Sequence, residues 1–125
     1  MIDFQNGTYN KLKQVDVSTI EKDISPLLID GEKLISAYQT IRDYCVFTNK
    51  RLVTVNIQGL TGKKRDYTSL PYSKISAFSV ETAGVLDLDS ELEMYFSGLG
   101  KVKLEFTGKS NIVEIGKLIG TYALK

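Results

Sequence analysis

The stretch Tyr44-Cys-Val-Phe-Thr-Asn-Lys-Arg-Leu-Val-Thr-Val55 constrains the fold more than any other, because two β-rich arms meet at a polar Asn49-Lys50 pair. Asn tolerates positive φ and can hydrogen-bond its own backbone, so such a pair between apolar arms predicts a tight hairpin. A two-residue loop sets Phe47 against Leu52, Val46 against Val53 and Tyr44 against Val55. Tyr44, Val46, Val53, Val55 and Ile57 then share an apolar face assigned to the core, and Cys45, Phe47, Leu52 and Thr54 share the other. That second face is too apolar near the turn to be wholly wet, so a helix of the same chain or another subunit is expected to cover it.

A chain of 125 residues is long enough to bury one core without disulfides or metal, and one domain over 1–125 is expected. Sixteen basic against fifteen acidic residues leave a net charge of +1, which provides no global field toward nucleic acid or an anionic bilayer. Histidine is absent, removing the side chain most used for acid–base chemistry near neutral pH. The single Cys45 lies among Tyr44, Val46 and Phe47 and reads as a small buried hydrophobe. The first residues lack both a basic flank and an apolar run of signal length, so a cytoplasmic location is expected.

Along the chain, 1–15 reads as a loose lead-in and 18–28 as a short helix, with Ser18 and Glu21 spaced as a capping box and Pro26 ending it. Asp30-Gly31 marks a turn, after which the period changes to two. Leu34, Ser36, Tyr38 and Thr40 oppose Lys33, Ile35, Ala37 and Gln39, and a second strand is expected from Ile41 to Thr48. Further strands read to Leu70, at 75–81, at 92–97 and at 102–107, so barrel strands fill 31–107. A closing helix over 110–124 starts at Ser110 or Asn111 and carries Ile112, Ile115, Leu118 or Ile119, and Tyr122 as an apolar stripe. About seven antiparallel strands must close on themselves or be plugged, which predicts a small bent barrel with the last helix across one mouth.

This order of elements, with Thr48-Asn-Lys-Arg-Leu52, Gln58-Gly-Leu-Thr-Gly-Lys-Lys64, Ser69-Leu-Pro-Tyr72 and the run from Phe78 to Leu92, resembles the bacterial pleckstrin-homology-like domain family over 24–122. The resemblance implies a mainly β (α+β) fold, a PH-like bent antiparallel barrel capped by a C-terminal helix, with the short N-terminal helix as an addition. It also implies a stand-alone cytoplasmic scaffold without cofactor that forms a homo-oligomer, in some cases ring-like.

Inositol-phosphate capture in pleckstrin folds uses basic residues on the first two strands and the loop between them. Here that hairpin has Lys33 and Arg42 flanked by Glu32 and Asp43, so its field is nearly neutral. Lys63, Lys64 and Arg65, joined by Lys50 and Arg51, form a candidate anion or partner site that would dock on an anionic membrane or an acidic segment; lysines guarding a strand edge are the simpler account. No aromatic residues interleave with them, so nucleic acid is not expected. Cys45, Phe47 and Leu52 are the candidate oligomer interface, and Tyr67, Tyr72 and Phe78 the candidate groove for a protein or peptide partner. Asp87, Asp89 and Glu91 lack the glycine and distal Glu of a calcium loop, and Asp89 or Ser90 is expected to accept loop N–H bonds instead. No nucleophile pairs with an activating base, so a non-catalytic interaction module is the expectation.

Overall fold

The computed structural model describes residue 1 and residues 9–108 and 110–124. Among the described residues eight strands and two α-helices follow one another: β1 (Lys13–Val15), α1 (Glu21–Ile24), β2 (Leu34–Gln39), β3 (Tyr44–Thr48), β4 (Arg51–Gln58), β5 (Lys64–Pro71), β6 (Ile75–Glu81), β7 (Ser90–Phe96), β8 (Gly100–Phe106) and α2 (Ile112–Ala123). The strands form a five-stranded antiparallel sheet, β1-β2-β3-β4-β5, and a three-stranded one, β6-β7-β8. One strand is more than expected. Residues 13–15, assigned to the lead-in, pair with β2, and residues 2–8 of that lead-in lie outside the described residues.

The start of the chain also ties the two sheets together. Leu12 bridges Phe106 in parallel, with Leu12 N–H donating to Glu105 O at 2.9 Å and Thr107 N–H to Leu12 O at 2.9 Å. One corner of the barrel is thereby closed by residues 9–15. The other corner, between β5 and β6, is filled by α2, whose Ile112, Ile115 and Ile119 are buried in the main core. Asn111 caps this helix by accepting the Glu114 N–H.

The 44–55 hairpin has the predicted register, Phe47 opposite Leu52 and Tyr44 opposite Val55. Its two faces are assigned the other way round. Cys45, Phe47 and Leu52 lie inside the barrel with no exposed surface, packed with Leu92, Leu104 and Phe106. Tyr44, Val46, Val53 and Val55 lie outside it, under Ile20 and Ile24 of the N-terminal segment. Both faces of β3 and β4 are equally apolar, so alternation alone does not say which of them meets the second sheet.

Three local expectations change for physical reasons. The first turn near residue 18 is capped by Asp16, whose carboxylate accepts the Ser18 N–H, so the Ser18–Glu21 capping box does not form. A bulge between Leu34 and Ser36 shifts parity, putting Leu34 with Ala37 in the outer cluster while Tyr38 enters the barrel. Ile41 and Arg42 form the exposed bend before β3 rather than part of it, where Asp43 O accepts the Thr40 N–H at 2.8 Å.

Asn49 does not serve the turn through positive φ, which among described non-glycine residues is confined to Lys11. Its amide clamps the neighbouring turn: Oδ1 accepts the Lys33 N–H at 2.8 Å and Nδ2 donates to Gly31 O at 3.0 Å. Gly31 has φ +79°, which only glycine adopts without strain.

Candidate functional site

Antiparallel sheets that do not close leave edges, and each edge of this protein is treated differently. Residues 9–15 join β8 to β2 and remove one pair. The β5 edge carries Lys64, Arg65, Asp66 and Pro71, charges and a missing N–H that discourage pairing. The β6 edge carries Ile-Ser-Ala-Phe-Ser-Val and a single charge at its last residue, Glu81. It pairs with β7 alone.

α2 packs beside that edge with two glycines turned toward it, the closer approach being at Gly116. A Cβ on Gly116 would lie 3.0 Å from Val80 Cγ1, and one on Gly120 would lie 3.9 Å from Phe78 Cζ. Glycine in a helix costs about 1 kcal/mol relative to alanine, and at Gly116 the close approach of Val80 is the packing reason for it, whereas Gly120 has room for a methyl group. On the outer face of the same sheet, the small Ala77 and Ser79 leave a dish of about 170 Å³ walled by Glu93, Tyr95 and Lys101. Tyr95 is half exposed there. An open uncharged edge beside a dish of side-chain size is the geometry that accepts an added strand, backbone bonds holding it and the dish reading one residue.

The residues proposed from sequence are dispersed. Tyr72 and Phe78 do meet α2, Tyr72 stacking on Tyr122 with ring centres 5.6 Å apart and donating its hydroxyl to Thr48 O at 2.7 Å. Tyr72 is 1% exposed and presents no surface to a partner. Tyr67 belongs to the other sheet, where its hydroxyl donates to Asp23 Oδ1 at 2.9 Å, so it is no part of a groove with Phe78. Cys45, Phe47 and Leu52, the candidate oligomer interface, are barrel interior and present no surface to a second subunit. Burial pushes the Cys45 thiol well above its ordinary value.

The basic cluster also divides. Arg51 opposes Pro71 and Gln58 opposes Lys64, so Lys50 and Arg51 stand at one end of the β4–β5 hairpin and Lys63 to Arg65 at the other, roughly 23 Å away at 3.3 Å per residue. Arg51 is engaged internally with Glu32, Leu27 O and Ser69 Oγ. Arg65 pairs with Asp23 at 3.4 Å. Lys50, Lys63 and Lys64 stay exposed.

Among the described residues no group of three or more His, Cys, Asp or Glu could hold a metal ion. In the 87–91 segment Asp87 Oδ1, rather than Asp89 or Ser90, accepts a loop N–H, that of Asp89, at 3.1 Å. Asp89 and Glu91 carry ion pairs with Lys11 and Lys103. No described helix is long and apolar enough to cross a membrane. An exposed strand edge able to accept an added strand is expected from sequence around Tyr67, Tyr72 and Phe78, and the uncharged run Ile75 to Val80 is where β6 presents one.

The sequence profile of the family described as Bacterial PH domain matches residues 3–123. The chain belongs to that family. Two relatives from Bacillus subtilis (strain 168) are similar to it: the uncharacterized protein YjqA, 39% identical over 123 residues covering 97% of this chain and 98% of the relative, and the uncharacterized protein YozO, 32% identical over 101 residues covering 81% and 87%. Among solved structures, this bacterial PH domain is similar to a DUF1696 family protein with a pleckstrin-homology domain from Shewanella loihica PV-4, with TM-score 0.80 and 40% identity over 92% of this chain and 99% of that one. It is also similar to a pleckstrin homology domain from Shewanella amazonensis SB2B, with TM-score 0.67 and 41% identity over 97% and 96%. The PH-like barrel with its closing helix is therefore the fold.

Proposed function

We propose that this bacterial PH domain is a non-catalytic interaction module that self-associates and receives an extended protein segment along β6. The observation that carries the reading is the contrast between edges: β5 bears three charges and a proline, whereas Ile75 to Val80 bears none. An unguarded edge on a folded protein is an aggregation liability unless something pairs with it. The dish beside Ala77 and Ser79 supplies a second element of recognition, with Glu93 and Lys101 able to select a polar or charged side chain at its rim.

Light scattering on the purified protein, combined with hydrogen exchange at β6, tests this reading. Assembly that grows with concentration and slows exchange across Ile75 to Val80 is the expected result. Ser79→Lys places a guard charge on the edge and should leave a folded monomer with fast-exchanging β6 amides. A wild-type monomer throughout the micromolar range, or assembly indifferent to Ser79→Lys, overturns the proposal.

A further inference from the structure

The side of α2 turned away from β6 borders a cleft of about 450 Å³, within the range of small-molecule sites. It exists because β1 is short. Lys13 to Val15 cover Gln39 to Ala37, leaving Leu34 to Ser36 of β2 without a neighbouring strand on that side among the described residues, and the bulge there takes Ile35 out of the paired ladder. Ile35, Tyr38, Ile115 and Leu118 provide the apolar lining, and Ile35 is 43% exposed within it.

The rim has opposite charges. Glu114 and Lys117, three apart and so on one helix face, both border the cleft, and neither forms an ion pair among the described residues. Ion pairs elsewhere, Lys11–Asp89, Lys103–Glu91 and Arg65–Asp23, join residues of different segments, whereas these two charges share one helix face at the mouth of a cleft. A ligand that satisfies this cleft needs one cationic group, one anionic group close to it, and a compact apolar body. Gln14 and Ser36 also line the cleft, the Ser36 hydroxyl being engaged with Tyr38 and the Gln14 amide adding polar donors and an acceptor.

We propose that the α2–β2 cleft binds a free α-amino acid with a branched apolar side chain, its ammonium on Glu114, its carboxylate on Lys117 and its side chain against Ile35 and Leu118. This site is separate from the β6 edge and does not depend on it. With both charges at a wet rim, binding in the millimolar range follows.

Amide NMR titration with L-leucine tests the assignment, beside 3-methylbutylamine, which lacks the carboxylate, and 4-methylpentanoate, which lacks the ammonium. L-leucine should shift the Ile35, Ser36 and 114–121 amides saturably, and each deleted analogue should bind roughly five- to tenfold more weakly. Glu114→Gln should reduce L-leucine to the affinity of 4-methylpentanoate, and Lys117→Met should reduce it to that of 3-methylbutylamine. Both positions are exposed, so the variants keep the fold. Absence of saturable shifts up to about 20 mM L-leucine, shifts mapping away from the cleft, or equal affinity for all three compounds would overturn the proposal.

Discussion

The Arg51 guanidinium holds the buried Glu32 carboxylate by both oxygens, Nε to Oε2 and Nη2 to Oε1, each at 2.8 Å. Thr48 Oγ1 donates to the same carboxylate at 2.7 Å and the Ile29 N–H at 3.1 Å. The Thr-Asn-Lys-Arg-Leu motif thus has a structural account. Thr48 and Arg51 bind Glu32, Asn49 binds the 31–33 backbone and Leu52 fills the barrel, so one hairpin anchors the turn that leads into β2.

This pair predicts a pH dependence. Burial alone would raise the Glu32 pKa, but bonds from Arg51, Thr48 and the Ile29 N–H outweigh it and hold the group at about 2, against 4.5 unperturbed. Because the folded value is the lower one, the stability Glu32 contributes is complete above 4.5 and is lost as pH falls toward about 2. Arg51→Met leaves a buried carboxylate unpaired and should cost about 3–5 kcal/mol near neutral pH. That deficit should shrink below pH 4.5 as the carboxyl takes a proton, in urea unfolding measured across the acid range.

The two glycines of α2 should respond oppositely to added carbon. At Gly120 a Cβ meets its nearest atom, Leu124 Cδ1, at an ordinary 3.7 Å, so Gly120→Ala should gain about 0.5–1 kcal/mol from helix propensity. At Gly116 the 3.0 Å approach to Val80 means that Gly116→Val overpacks the β6 contact and should lose about 1–3 kcal/mol. Thermal unfolding of the two variants checks the signs.

Asp23 should prove to be the anchor of the N-terminal helical segment. It accepts hydrogen bonds from the Tyr44 and Tyr67 hydroxyls and pairs with Arg65, tying α1 to β3 and β5. Burial, then the hydrogen bond and charge of Asp23, raise the Tyr67 pKa. Asp23→Asn should lower it toward the usual phenol value and speed amide exchange across Ile20 to Ile24, as read by ultraviolet titration and hydrogen exchange.

Cys45 should resist thiol reagents in the folded protein and react once denatured. Its side chain has no solvent exposure, and burial raises its pKa, so the nucleophilic thiolate is scarce. Labelling with a disulfide reagent in buffer and in denaturant gives the comparison; fast labelling in buffer would show that the barrel opens.

Much of the barrel was legible in residues 44–107 because strand alternation and turn chemistry act over a few positions. The 47/52 and 44/55 pairings follow from a two-residue loop, and the closing helix from the apolar spacing of Ile112, Ile115 and Ile119. The candidate sites were less legible. Lys50 and Lys63 are near in sequence yet stand at opposite ends of a hairpin, while Tyr67 and Tyr72, five residues apart, fall on opposite sides of the bend that separates the sheets.

Local residue choice thus settled most of the strands, the closing helix and the family, since each is written within a short window of chain, but not β1, which is visible only through its pairing with β2. Three-dimensional packing settled which face of the 44–57 hairpin is the interior, which cations keep a free charge and which edge stays open. Those outcomes rest on contacts such as Arg51 with Glu32 and Tyr67 with Asp23, 19 and 44 residues apart. An apolar pattern records how much surface a strand must hide, and not what will come to cover it.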